Sequence, residues 1–301
     1  MLEKALPAKS DFETGTNTII DARVCPPIPA FLQDRTWTRF AGTLDGVRSR
    51  GWIVDGAMKS PDLSAYLDEC KRLGIARAGL TARVPNEVWG GRGNLPVFEA
   101  VAQRPEFFFA YGAVDALAAD PGAAVQQLKD RGVRGVVVEP GLAHTALHID
   151  DRRVDPVYDA CQAIGLPLLL MGGGETGPDL SYSDPLRHEQ VAIRFPRLQI
   201  VYMHGGWPFV QAALGVAFRR PNVWMMPDVY FPGLPGEQDY LLAMRTYLQD
   251  RFLFASNYPY CPLTQIVERY HGFGLPDDLL TKVLHGNARR LFFADADGAG
   301  R

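Results

Sequence analysis

A chain of 301 residues that is 47% hydrophobic and 22% charged can bury a large core, as one barrel-sized domain or as two smaller ones. Its formal net charge of −3 gives no electrostatic case for nucleic acid, since basic residues stand singly or in short pairs such as Arg219-Arg220 and Arg289-Arg290. No apolar run is long enough to span a bilayer, the first residues are polar, and the four cysteines form no Cys-x-x-Cys pair, so the expectation is a cytoplasmic protein with reduced thiols and a small-molecule partner, not a membrane.

After a polar arm over residues 1–17, residues 18–25 (Thr-Ile-Ile-Asp-Ala-Arg-Val-Cys) read as a first strand stopped by Pro26-Pro27. Residues 29–60 form a long irregular connection whose aromatics, Trp37, Phe40 and Trp52, suggest a folded flap rather than disorder. Ser60-Pro61-Asp62 supplies a helix cap and an early proline, and the helix stops at Gly74. A second strand over 75–81 follows. The loop 86–93 has spaced glycines and Trp89 but no phosphate-binding pattern. A helix over 95–103 leads to a third strand over 107–114.

The alternation continues with a helix at 121–129, a strand at 133–139 ending in Glu139, a helix at 154–164, and a strand at 166–171 that opens into Gly172-Gly173-Gly174-Glu175. Past a helix near 185–195, the run Leu198 to Met203 is a short buried strand closed by His204, and Gly205-Gly206 turns the chain into a helix over 207–219. A seventh strand over 223–226 precedes Pro227-Asp228, and a helix over 238–249 precedes an eighth strand over 252–257. Helices over 263–270 and 276–293 close the chain, leaving residues 294–301 as a frayed tail. Eight parallel-type strands alternating with helices argue for one α/β domain over residues 18–293, a (β/α)8 TIM barrel. In that fold, ligands sit at the carboxyl ends of the strands.

Five stretches then carry a resemblance. They are Ile19-Ile20-Asp21-Ala22, the segment from Phe195-Pro196 to Gly206, Pro221-Asn222-Val223, Arg251 to Pro259, and Gly286-Asn287-Ala288-Arg289-Arg290-Leu291-Phe292. In this order and at this spacing the chain resembles the amidohydrolase-related family, metal-dependent barrels that include aminocarboxymuconate-semialdehyde decarboxylase, lactonases and hydrolases. The resemblance implies a small organic-acid substrate and a homodimer. It also implies a metal held by a His-x-His pair closing strand one, a His closing strand five, a His closing strand six and an Asp closing strand eight. Those positions here carry Arg23 and Cys25, Met171, His204 and Asn257. A divalent ion needs several converging deprotonated donors, and a permanent guanidinium among them repels it. No metal or other cofactor is expected.

The remaining set suggests a metal-free site in the same cup. Arg23 would stabilise negative charge, His204 would act as acid or base, Glu139 or Asp228 would serve as base or orient His204, and Asn257 would donate to a developing oxyanion. Arg23, Cys25, Met171, Trp207 and Tyr258 are the expected substrate contacts, with Tyr260, Trp89 and Trp37 as further wall candidates. Cys25 facing His204 is a weaker candidate nucleophile. Glu175 is read as a lid residue, His144, His148, His188 and His271 as surface residues, and His285 as a cap or packing residue. The expected chemistry is hydrolysis of a lactone or ester-like bond, or decarboxylation or hydration, of a small organic acid. Two alternatives stand: a metal site rebuilt from Cys25, Glu139, His204 and Asp228, and a catalytically silent barrel in which Arg23 is salt-bridged to Glu139 or Asp228.

Overall fold

The computed structural model describes residues 18–91 and 93–297; the predicted arm over 1–17 and the end of the tail lie outside the described residues. Seven parallel strands follow one another in sheet order: β1 (Ile19–Val24), β2 (Ile75–Thr81), β3 (Phe108–Ala113), β4 (Val136–Val138), β5 (Leu168–Met171), β6 (Ile200–Met203) and β7 (Val223–Met226). Such an unbroken order is what successive right-handed strand-helix-strand units produce.

Residues 252–257 were expected to be an eighth strand and are not one. Only Phe252 pairs, in an isolated parallel bridge to Met225. The segment nevertheless closes the ring: Leu253 N donates to Met225 O (2.9 Å), Ala22 N to Phe254 O (3.0 Å), Asn257 N to Arg23 O (2.9 Å) and Cys25 N to Tyr258 O (2.7 Å). The ladder breaks because a side chain enters it. The Asp21 carboxylate accepts from Ser256 N at 2.9 Å, and β1 shifts register between Asp21 and Val24.

The connections carry α1 (Pro29–Leu32), α2 (Arg35–Thr38), α3 (Phe40–Ser49), α4 (Leu63–Arg72), α5 (Leu95–Gln103), α6 (Pro121–Asp130), α7 (Asp155–Ile164), α8 (Pro185–Arg194), α9 (Val210–Arg219), α10 (Glu237–Arg245), α11 (Leu263–Gly272), α12 (Asp277–Thr281) and α13 (Asn287–Asp297). The stretch 29–60 is therefore not irregular throughout: its first part folds into three helices, and Gly56–Lys59 forms a 3-10 turn. The cap of α4 is Asp62, whose carboxylate accepts from Ser64 N and Ala65 N, with Pro61 outside the helix. The predicted tail begins inside α13, which continues past a kink at Phe293.

Strand parity divides the core. Ile20, Ala22, Phe109, Tyr111, Val137, Leu169, Val201, Met203, Trp224, Met226, Leu253 and Ala255 fill the lumen, floored by Phe292 and Phe293 of α13. The alternate residues, such as Val136, Leu168, Tyr202 and Met225, pack outward against the helices. This apolar filling leaves the carboxyl ends of the strands as the rim where the charged groups described below gather.

Candidate active site

Parity places four rim side chains without further help. Continuing the inward series of each strand by two residues brings in Arg83 after β2, Glu139 after β4, Asp228 after β7 and Asn257 in the closing segment. Arg23 and His204 would point outward by that count. The register shift in β1 turns Arg23 inward, and a left-handed backbone turns His204. Among the described residues, the non-glycine residues with positive φ are His204 (60°), Asp228 (41°) and Asn257 (49°). All three stand at this rim. Left-handed backbone in such residues costs about 1–3 kcal/mol each, and its concentration at one site marks the site as built for something other than stability.

Asp228, wholly buried, bridges two partners: Oδ1 lies 2.9 Å from His204 Nδ1, and Oδ2 lies 2.9 Å from Arg23 Nη1. The ion pair with Arg23 makes Oδ1 an acceptor, so Nδ1 carries the imidazole proton and Nε2 is left with its lone pair. Arg23 Nη1 is 3.3 Å from Nε2 and 3.5 Å from Nδ1. Near-equal distances to the two ring nitrogens, which flank Cε1, do not arise from a donor aligned on the Nε2 lone pair, since that direction leads away from Nδ1. The guanidinium nitrogen therefore lies off that axis. Burial holds the His204 ring below its ordinary range, Asp228 pulls it up, and Arg23 pushes it down again, with burial the largest influence. Arg23 Nε and Asn257 Oδ1 are buried with no hydrogen-bond partner.

Glu139 does not orient His204. It accepts two hydrogen bonds from Arg83, Nε to Oε2 and Nη2 to Oε1, both 2.8 Å. Arg83 was missed in the sequence; the inward parity of positions 79, 81 and 83 in the second strand was the signal that could have found it. Its guanidinium stacks on Trp89 at 5.3 Å, as does Arg35 at 5.0 Å, and Arg35 Nη1 in turn pairs with Glu175 at 2.7 Å. Glu175 is thus an ion-pair partner at the mouth.

These groups surround a cavity of about 570 Å³, lined by Arg23, Cys25, Met171, His204 and Asn257, by Glu139 and Glu175, by Trp89, Tyr230 and Tyr260, and by residues of α2 and α3. That volume suits a small organic molecule. Two expected contacts are elsewhere. Tyr258 is fully buried behind the rim, with its ring 4.8 Å from that of Tyr66, and Tyr260 takes the wall position. Trp207 stacks on the outer face of Tyr230 at 5.2 Å, and Tyr230 presents an edge-on contact to His204 at 5.2 Å. Trp37 is spent on packing, its indole N–H donating to Cys25 O at 3.0 Å. His188 was expected at the surface and is 1% exposed, stacked on Tyr202, with burial lowering its pKa to about 4.

The Gly172-Gly173-Gly174 loop is needed for packing. A Cβ on Gly173 would meet His204 Cβ at 2.8 Å and His204 O at 2.9 Å, and one on Gly174 would run into the Tyr230 hydroxyl.

The donor set does not fit the metal of the resembling barrels. His204 has Arg23 within hydrogen-bond distance, Met171 and Asn257 offer no anionic donor, and Glu139 is taken by Arg83. The rebuilt alternative fails on the same ground. Among the described residues, no group of three or more His, Cys, Asp or Glu side chains is placed to hold a metal ion.

The amidohydrolase family model matches residues 48–294. Among solved structures, an uncharacterized TIM-barrel protein from Bordetella bronchiseptica is 36% identical, with a TM-score of 0.87 over 93% of this chain and 99% of that one. The 5-carboxyvanillate decarboxylase of Sphingomonas paucimobilis is 19% identical, with a TM-score of 0.61 over 92% and 99% of the two chains. A probable 2-pyrone-4,6-dicarboxylic acid hydrolase of Acinetobacter baumannii, with citric acid bound, is 11% identical, with a TM-score of 0.57 over 77% and 89%. No curated protein matches. At these low identities the last two share the fold alone.

Proposed function

The chain belongs to the amidohydrolase family, and from that premise we propose that it is a metal-independent hydrolase that opens a lactone or similar ester-like bond in a small organic acid. The observation that carries this reading is the state of His204: Nδ1 anchored by Asp228 at 2.9 Å, a pKa lowered by burial, and an Nε2 that Arg23 Nη1 approaches at 3.3 Å from off the lone-pair axis. A neutral imidazole so held begins a reaction as a base. Attack by water needs that base at once, whereas decarboxylation of an aromatic acid needs a proton delivered to carbon first, so the geometry supports hydrolysis over the decarboxylase reading.

In the proposed reaction, water gives a proton to Nε2 as its oxygen bonds to the carbonyl carbon and the carbonyl electron pair moves onto oxygen. The Arg23 guanidinium, which lines the cavity, donates to that oxyanion, and the Asn257 amide is a second polar contact for the intermediate. Collapse breaks the carbon–oxygen ester bond, and the imidazolium, stabilised by Asp228, returns its proton to the leaving oxygen. A silent barrel shares the Arg23–Asp228 pair but leaves the three left-handed rim residues and the two unpartnered buried atoms without a purpose.

The test is a panel of lactones and esters of small carboxylic acids offered to chelated protein. At least one member is hydrolysed, and His204→Asn lowers that rate roughly a hundredfold or more while melting close to wild type. Turnover that vanishes on chelation, or a panel with no substrate, contradicts the proposal.

A further inference from the structure

Helix α3 turns one face to the cavity: Arg39, Gly42, Thr43, Gly46, Ser49 and Arg50 line it, at the three- and four-residue spacing of a single helical stripe. The adjoining face, with Phe40, Leu44 and Val47, packs on the core. A glycine inside a helix costs about 1 kcal/mol relative to alanine, and two features commonly repay it. Neither applies here. Gly42 and Gly46 do not have positive φ, and a Cβ on either would meet nothing within 4 Å. What the missing side chains leave is room in the cavity.

The charges around that room are unequal. Arg23 is matched by Asp228, Arg35 by Glu175 and Arg83 by Glu139. Arg39 and Arg50, which flank α3 at its two ends, have no carboxylate partner among the described residues; Arg50 is held only by the backbone oxygens of Gly46, Val229 and Tyr260. Asn257, 3% exposed, lines the same cavity. A helical rise of 1.5 Å per residue puts the two arginine backbones about 16 Å apart, with the glycines between them.

We infer that this face of α3 is the binding floor for the non-reacting end of the substrate, and that this end carries a second carboxylate, so that the ligand class is a small dicarboxylate. The inference rests on the hydrolase reading for which end reacts, but its test measures binding alone. Glutarate and benzene-1,3-dicarboxylate, with acetate and benzoate as single-carboxylate counterparts, are titrated by calorimetry into wild type, Arg39→Gln, Gly46→Leu and His204→Asn. Wild type is expected to bind the diacids at least tenfold more tightly than the monoacids. Arg39→Gln loses about tenfold for the diacids only. Gly46→Leu fills the space and abolishes diacid binding while its melting temperature stays level or rises. His204→Asn keeps diacid binding whatever its turnover, so a failure of the chemistry and a failure of the floor are read separately. Diacid binding that is absent or no tighter than monoacid binding in wild type, or unchanged in both α3 variants, overturns the inference.

Discussion

Breaking the Arg23–Asp228 pair should reveal how the rim is held. Asp228 is wholly buried and Arg23 is 5% exposed, with 2.9 Å between the charged atoms. Asp228→Asn leaves a buried guanidinium without an anion, a loss of about 3–5 kcal/mol. For a chain of this size about 1 kcal/mol moves the melting temperature by roughly 2 °C, so the expected drop is roughly 6–10 °C. Arg23→Met is milder, because Asp228 keeps the His204 Nδ1 hydrogen bond at 2.9 Å. The double variant removes both charges and should lose about 2–3 kcal/mol less than the sum of the singles. Urea unfolding of the four proteins, with thermal melts alongside, measures this. Additive losses, or an Asp228→Asn loss under about 1 kcal/mol, would refute the claim that the two charges compensate each other in the interior.

Three further outcomes are expected. Gly173→Ala forces a Cβ to within 2.8 Å of His204 Cβ, so it should cost about 1–3 kcal/mol and depress kcat; wild-type activity would show that the loop does not fix the imidazole. Burial raises the Asp21 pKa to about 7. A carboxyl raised in the folded state contributes stability that is present below the unfolded value and lost as pH rises toward 7, so Asp21→Asn should gain on wild type between pH 5 and pH 8.5, by about 2.5 kcal/mol, and a constant difference across that range would refute it. Protein purified without chelators should hold well below one equivalent of Zn, Mn, Fe or Ni by elemental analysis; stoichiometric metal, lost together with thermal stability on chelation, would revive a metal site.

Much of this architecture was legible in the sequence because strand and helix periods differ and the alternation was regular: β2 and β7 fall at their expected bounds, as does α5. The eighth strand was misread because its apolar pattern is real while its ladder partner is the Asp21 side chain, and pattern does not report hydrogen-bond partners. The three helices of residues 29–60 were missed because two of them are single turns, too short to show a period. At the site, strand ends located Arg23, Glu139, His204, Asp228 and Asn257 at one rim. Partner choice was beyond that reasoning, since pairing Glu139 with Arg83 rather than His204 depends on distances around the barrel. Trp207 and Tyr258 were misplaced by adjacency in sequence to true rim residues, and His188 by its position on a helix whose inward face meets Tyr202.

In the proposed reaction His204 rests neutral and protonated on Nδ1, with the Nε2 lone pair available to a water in the cavity. Nitrogen-15 resonances of the imidazole, assigned by their loss in His204→Asn, report both tautomer and titration without any substrate. The Nδ1–H neutral form is expected at pH 7 and persists below pH 6.5, because burial lowers the ring's pKa. An imidazolium at pH 7, or a neutral ring protonated on Nε2, would contradict it.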